Sequence, residues 1–154
     1  MKKLHYLWVL LFLAGCGPKT YTPTAEVSYI NYQNEEMTLR AVGYGKKEAL
    51  ALEDARIRAI DNLLFRGIPN SSLNQPLIET SEKEVKYNHP GYFNELYNNR
   101  KYLTFVSGTF QTSDFFRDAN TPRGQKMLIA DVVINIASLR RDLVENGIIR
   151  RFGY

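Results

Sequence analysis

A chain of 154 residues with 44% hydrophobic and 23% charged side chains is of the size and composition for one domain with a real core. Its net charge of +4 is nearly balanced, and two of the lysines behind it, Lys2 and Lys3, sit in a leader segment, which argues against nucleic acid as a partner. The single cysteine, Cys16, excludes an internal disulfide; with His89 the one histidine beyond that leader, Cys-His catalytic pairs and zinc sites of familiar spacing are also excluded.

Residues 1–15 begin with the two lysines and continue as an apolar run from Leu7 to Leu13. The run is shorter than the roughly 20 residues a membrane-spanning helix needs, so it reads as a secretory signal. Leu13-Ala14-Gly15-Cys16 resembles the lipobox of bacterial lipoproteins. That resemblance implies a diacylglycerol on the Cys16 thiol, cleavage just before it, and a chain held to the membrane by acyl chains such as palmitate. The competing readings are an ordinary signal with an incidental cysteine, or a buried cysteine. Residues 16–26 are polar, with Pro18 and Pro23, and form a tether that reaches about 30 Å when extended. Gly17 stands where an aspartate retains lipoproteins in the inner membrane, which points to the outer membrane.

One domain is expected over 27–154. Val27 to Tyr32 reads as a short strand, and from Met37 the alternation of Met37, Leu39, Ala41 and Gly43 with Thr38, Arg40, Val42 and Tyr44 predicts a strand with one covered face. From Lys46 the period changes to that of a helix. Ala49, Leu52, Ala55, Ala59, Ile60, Leu63 and Leu64 form its apolar stripe, while Glu53, Asp54, Arg56, Arg58 and Asp61 are left mostly for water. Gly67 and Pro69 end the helix, and its wealth of alanine implies that it lies close against a sheet. Lys46 and Lys47 oppose the helix dipole and no side chain caps the start, so packing must hold it. Gly43-Tyr44-Gly45 lacks the further glycine and the lysine of a phosphate loop and reads as a tight strand-to-helix turn.

Residues 70–100 are rich in asparagine and charge and form an excursion between core elements, more functional than structural in character. Pro90 fits the first position of a short helix that presents Tyr92, Phe93, Leu96 and Tyr97. These aromatics have two readings: they clamp the excursion onto the core, or Tyr92, Phe93 and Tyr97 form a partner-binding surface with Tyr87 and Tyr102, with asparagine-tyrosine interleaving also suiting a sugar. Glu79, Glu82, Glu84 and Glu95 could pair as catalytic acids, but their charged run reads better as a solvated face. His89 reads as a turn residue before Pro90.

Tyr102–Gln111 and Lys126–Ala137 read as strands joined in a long antiparallel hairpin by residues 114–124, the second of them central because Leu128, Ala130, Val132, Ile134 and Ile136 make an unbroken apolar face. Ser138 is placed to cap a helix over Leu139–Asn146 that ends at Gly147. Arg140, Arg141, Arg150 and Arg151 cluster in sequence near the end of the chain. They read either as cations on a surface helix and tail or as contacts for lipid phosphate or an acidic partner.

The segment RAVGYGKKEALALEDARIRAIDNLL, with Ala41-Val42-Gly43-Tyr44-Gly45 leading into Ala49, Ala51, Ala55 and Ala59, resembles a family of small bacterial lipoproteins. Their domain is similar to the N-terminal domain of flagellar assembly protein T. The resemblance implies a helix packed on an antiparallel sheet and an accessory role in a cell-surface machine. With the elements above, the expectation is an α+β fold: an antiparallel sheet of three to four strands, one long helix on one face and a shorter C-terminal helix. The expected function is a non-enzymatic, lipid-anchored component of an envelope assembly, without catalytic residues, metal or cofactor. Its expected partners are the membrane through Cys16 and other envelope proteins, with a homo-oligomer as a further arrangement; a glycan or peptidoglycan module is the alternative.

Overall fold

The computed structural model describes residues 26–150. The signal segment, Cys16, most of the tether and Arg151 lie outside the described residues. The element order is β1 (Val27–Gln33), β2 (Glu36–Gly45), α1 (Glu48–Phe65), α2 (Glu82–Asn88), α3 (Pro90–Tyr97), a 3-10 turn (Lys101–Phe105), β3 (Val106–Gln111), β4 (Lys126–Asn135) and α4 (Ile136–Glu145). The four strands form one antiparallel sheet in the order β1-β2-β4-β3, which makes this an α+β fold with a long helix and a C-terminal helix. Among the described residues no helix is long and apolar enough to cross a membrane.

The two central strands pair without interruption from Glu36 opposite Asn135 to Gly45 opposite Lys126. Alternation therefore sends Met37, Leu39, Ala41, Leu128, Ala130, Val132 and Ile134 to one face, where all are fully buried. Helix α1 lies on that face. Its contact line is Ala51, Ala55 and Ala59, each with no exposed surface, followed by Ile60, Leu63 and Leu64. The alanines permit this approach, and so does glycine: a Cβ on Gly43 would overlap the Ala51 carbonyl oxygen and lie 2.7 Å from the Ala55 amide nitrogen. The stripe thus differs from the sequence expectation at its start, where Ala51 takes the place of Ala49 and Leu52. Ala49 is exposed and Leu52 half-buried, because the close approach at Gly43 fixes Ala51 as the inward residue and Ala49 lies on the far side of the first turn. No side chain caps the helix at Lys47, and Gly67 ends it in the left-handed region (φ 74°).

Two expected elements differ. Residues 101–105 form a 3-10 turn instead of the first half of a strand, entered through Arg100 in the left-handed region. A period of three puts Tyr102 and Phe105 on one face, both buried, where a strand would have pointed them apart. Helix α4 starts at Ile136, and Asn135 caps it by accepting from the Ser138 amide (2.8 Å), so Ser138 lies inside the first turn.

The 70–100 segment is a structural part of the domain, contrary to the sequence expectation. Leu77, Ile78, Val85, Phe93 and Leu96 are buried in the same core as the sheet and α1. The Leu77 and Ile78 amides donate to the Leu63 and Leu64 carbonyls (2.9 and 3.0 Å), which satisfies the C-terminal carbonyls of α1. Part of the charged run forms α2, signalled in sequence by Ser81-Glu82-Lys83-Glu84: the Ser81 hydroxyl accepts from the Glu84 amide, and Lys86 pairs with Glu82.

Candidate interaction surface

Four tyrosines among the described residues donate to carboxylates. Tyr92 on α3 donates to Asp142 on α4 (2.9 Å), Tyr97 on α3 donates to Asp61 on α1 (2.9 Å), and Tyr102 donates to Glu53 on α1 (3.1 Å). Tyr44 on β2 donates to Glu26 at the start of β1, beneath the Arg58 guanidinium. Burial raises the pKa of all four phenols, and the acceptor carboxylates add to the rise. Between Tyr92 and Tyr97 lies Phe93, 6% exposed, edge-on to Tyr92 and 6.0 Å from the Phe65 ring. Of the two readings of these aromatics, the clamp is the one the side chains occupy: Tyr92, Phe93 and Tyr97 hold α3 against α1 and α4.

Asp61 is correspondingly not a solvent-facing residue. It accepts from Tyr97 and pairs with Arg66 (3.1 Å), and burial raises its carboxyl above the ordinary aspartate range despite the Tyr97 hydrogen bond and the cations Lys86 and Arg66. Because the folded state holds this proton to higher pH than the unfolded chain does, stability present below the unfolded pKa of about 4 is lost as pH rises through the folded value. Asp61→Asn keeps an acceptor for Tyr97 and removes the titration. Thermal melts from about pH 4 to 7 should show the variant gaining on the parent as pH rises; a difference independent of pH would overturn this account.

His89 sits between α2 and α3, closing the first and preceding Pro90 of the second, with no side-chain capping bond. It lines a cleft of about 800 Å³ with Glu79, Glu84, Asn88, Ile148 and Arg150. Among the described residues no group of three or more His, Cys, Asp or Glu side chains could hold a metal ion. Three of the arginines near the end of the chain, Arg140, Arg141 and Arg150, are among the described residues. Arg140 is half-buried and Arg141 exposed on successive positions of α4, about 100° apart around the helix, while Arg150 belongs to the cleft.

The face of the sheet opposite α1 is the surface the fold leaves open. Register places Ser28, Arg40, Asp131 and Phe110 in one row across all four strands, flanked by Thr38 and Val133 on one side and Val42 and Ile129 on the other. Arg40 makes a bidentate pair with Asp131 (2.8 and 2.9 Å) at its centre. Phe110 is 63% exposed and leans over Gly108, and Ile30 at the bulge of β1 is 38% exposed. No family model, curated protein or solved structure matches this chain. The geometry of this face therefore carries the functional argument by itself. Its flanking strands, Val27–Gln33 and Val106–Gln111, contain no charged residue and no proline, two of the usual guards of a sheet edge, and each is interrupted by one shift of register. Sequence reasoning did not single out Phe110, because alternation alone does not tell which face of a strand a helix will cover.

Proposed function

We infer that this protein is a lipid-anchored, non-enzymatic envelope protein, held in the outer membrane through Cys16, that acts as an accessory or structural component of a cell-envelope assembly through protein–protein contacts. The anchor is supported by the lipobox-like sequence ending at Cys16. The contact role is supported by one observation above others: an open sheet face with an exposed aromatic, bounded by edge strands that carry no charge and no proline. The glycan alternative has less support, since the Tyr92 and Tyr97 hydroxyls are engaged by Asp142 and Asp61.

A photo-crosslinking residue placed at Phe110 or Ile30 in intact cells should capture a defined partner, and one at Glu84 on the helical side should not. In the purified complex Phe110→Ala should weaken binding about thirtyfold, as expected for an aromatic anchor worth about 2 kcal/mol. Its exposure means that melting should change little. Capture from Glu84 alone, with binding indifferent to Phe110→Ala, would move the contact surface to the helices.

A further inference from the structure

We propose that the end of the sheet at which the tether joins the domain is a lipid-docking surface: Lys46, Lys47, Arg117, Arg123 and Lys126 rest on the phosphate headgroups of the bilayer that holds the anchor. The proposal rests on the lipid-anchor reading above and adds an orientation to it.

The five cations come from two distant stretches of the sequence, 46–47 and 117–126, and are gathered by register. Gly45 pairs with Lys126, so Lys46 and Lys47 leave β2 where Lys126 enters β4. Phe116 bridges to Met127, and the Arg117 Nε donates to the Gln125 carbonyl (3.1 Å), which fixes Arg117 next to the same point. Arg123 lies in the turn between them, closed by the Thr121 and Gln125 amides donating to Asp118 and Pro122. The tether arrives at this end too, since the Val42 amide donates to the Glu26 carbonyl (2.8 Å) and Val27 lies opposite Ala41. The β1–β2 turn at Asn34 and Glu35 is at the opposite end, about 30 Å away along ten-residue strands.

All five side chains are exposed, and among the described residues none is in an ion pair; those pairs involve Arg40, Arg58, Arg66, Lys86, Arg100 and Lys101 instead. The exposed acids of this end are fewer, Glu48, Asp114 and Asp118. Of these Asp118 is engaged by the Thr121 hydroxyl and the Asn120 amide. Lys46 and Lys47 oppose the dipole of α1, so helix stability does not explain them. Phe116, 36% exposed, stands beside these cations, and Phe115 lies under Lys126 (5.3 Å), a combination suited to the headgroup boundary. The occupant follows from the tether. A segment reaching at most about 30 Å confines this end to the neighbourhood of the bilayer, so the anionic surface it meets at highest effective concentration is the headgroup layer.

The test uses the acylated protein reconstituted in vesicles, with a fluorophore at Asn120→Cys or, at the far end, Gln33→Cys, and a quencher on the lipid headgroups. In vesicles containing phosphatidylglycerol the Asn120 probe should be quenched strongly and the Gln33 probe weakly. The contrast should vanish in phosphatidylcholine alone and at about 1 M salt, where the screening length falls to roughly 3 Å. Reversal of three charges, Lys46→Glu, Lys47→Glu and Lys126→Glu, should lower the ratio of docked to undocked protein by more than about a hundredfold, at about fivefold for each cation lost. Equal quenching of the two probes, or quenching of Asn120 that ignores lipid charge, salt and the triple reversal, would overturn the docking surface. The salt series needs no variant beyond the label sites, so misfolding of the triple variant cannot mimic that result. Metabolic labelling with a fatty-acid analogue tests the anchor separately: label absent from Cys16 would overturn the anchor reading, and this proposal with it.

Discussion

Gly43→Val is expected to keep the domain from folding. The helix lies so close to β2 here that even one added carbon would overlap the Ala51 carbonyl and approach the Ala55 amide nitrogen to 2.7 Å and its Cβ to 2.9 Å. These are mostly backbone atoms, which cannot rotate away as a side-chain tip can. Relief requires lifting α1 from the sheet, which opens gaps along Ala51, Ala55 and Ala59. Overpacking typically costs 1–3 kcal/mol, and separating the layers adds cavity terms, so a loss of about 4 kcal/mol or more is expected from a domain whose whole stability is of order 5–15. Circular dichroism and a thermal melt read the result. Gly91→Ala is the control: a Cβ there meets nothing within 4 Å, and the substitution inside α3 should raise stability by up to about 1 kcal/mol. A Gly43→Val protein that melts like its parent would mean that α1 does not rest on β2 as described.

The second large effect concerns α3. Phe93 fills the space among Phe65, Tyr92 and Tyr97, with the Lys86 ammonium 5.9 Å from its ring. Phe93→Ala removes the ring from a 6%-exposed site and should destabilise the domain by about 3–5 kcal/mol, with loss of order spreading to the Tyr92 and Tyr97 hydrogen bonds it supports. Chemical denaturation with tyrosine fluorescence measures both effects. Should Phe93→Ala instead keep its midpoint while a captured partner is lost, the α3 aromatics would be an interface and the clamp description would fail.

Several elements were legible in the chain because their signals are local. Periodicity gave both faces of β2 and the apolar face of β4, and Gly67 marked the end of α1 through a backbone angle that glycine adopts without strain. Pro90 opened α3 for the same kind of reason, a fixed φ and a missing donor at a helix start. Where local rules failed, the cause was contact between distant residues. YLTF reads as strand by alternation, yet it winds as a 3-10 turn so that Tyr102 and Phe105 both reach the core and Tyr102 meets Glu53. Composition made residues 70–100 look like an excursion from the core, because a few buried residues spaced among asparagines carry no periodic signature.

The sequence by itself determined the class of the fold and the identity of the candidate anchor residue, since alternation, helical periodicity and the order of charge, apolar run and cysteine all reside within short stretches. Only the tertiary structure decided which surfaces remain for function. It bound Tyr92 and Tyr97 to Asp142 and Asp61, separated arginines that are neighbours in sequence, left Phe110 in water, and brought Lys46, Lys47, Arg117, Arg123 and Lys126 to the end where residue 26 joins the sheet. The physical reason is that pairing register and layer packing join residues some 80 positions apart, and no local pattern in the chain records which partner a strand or a tyrosine will find.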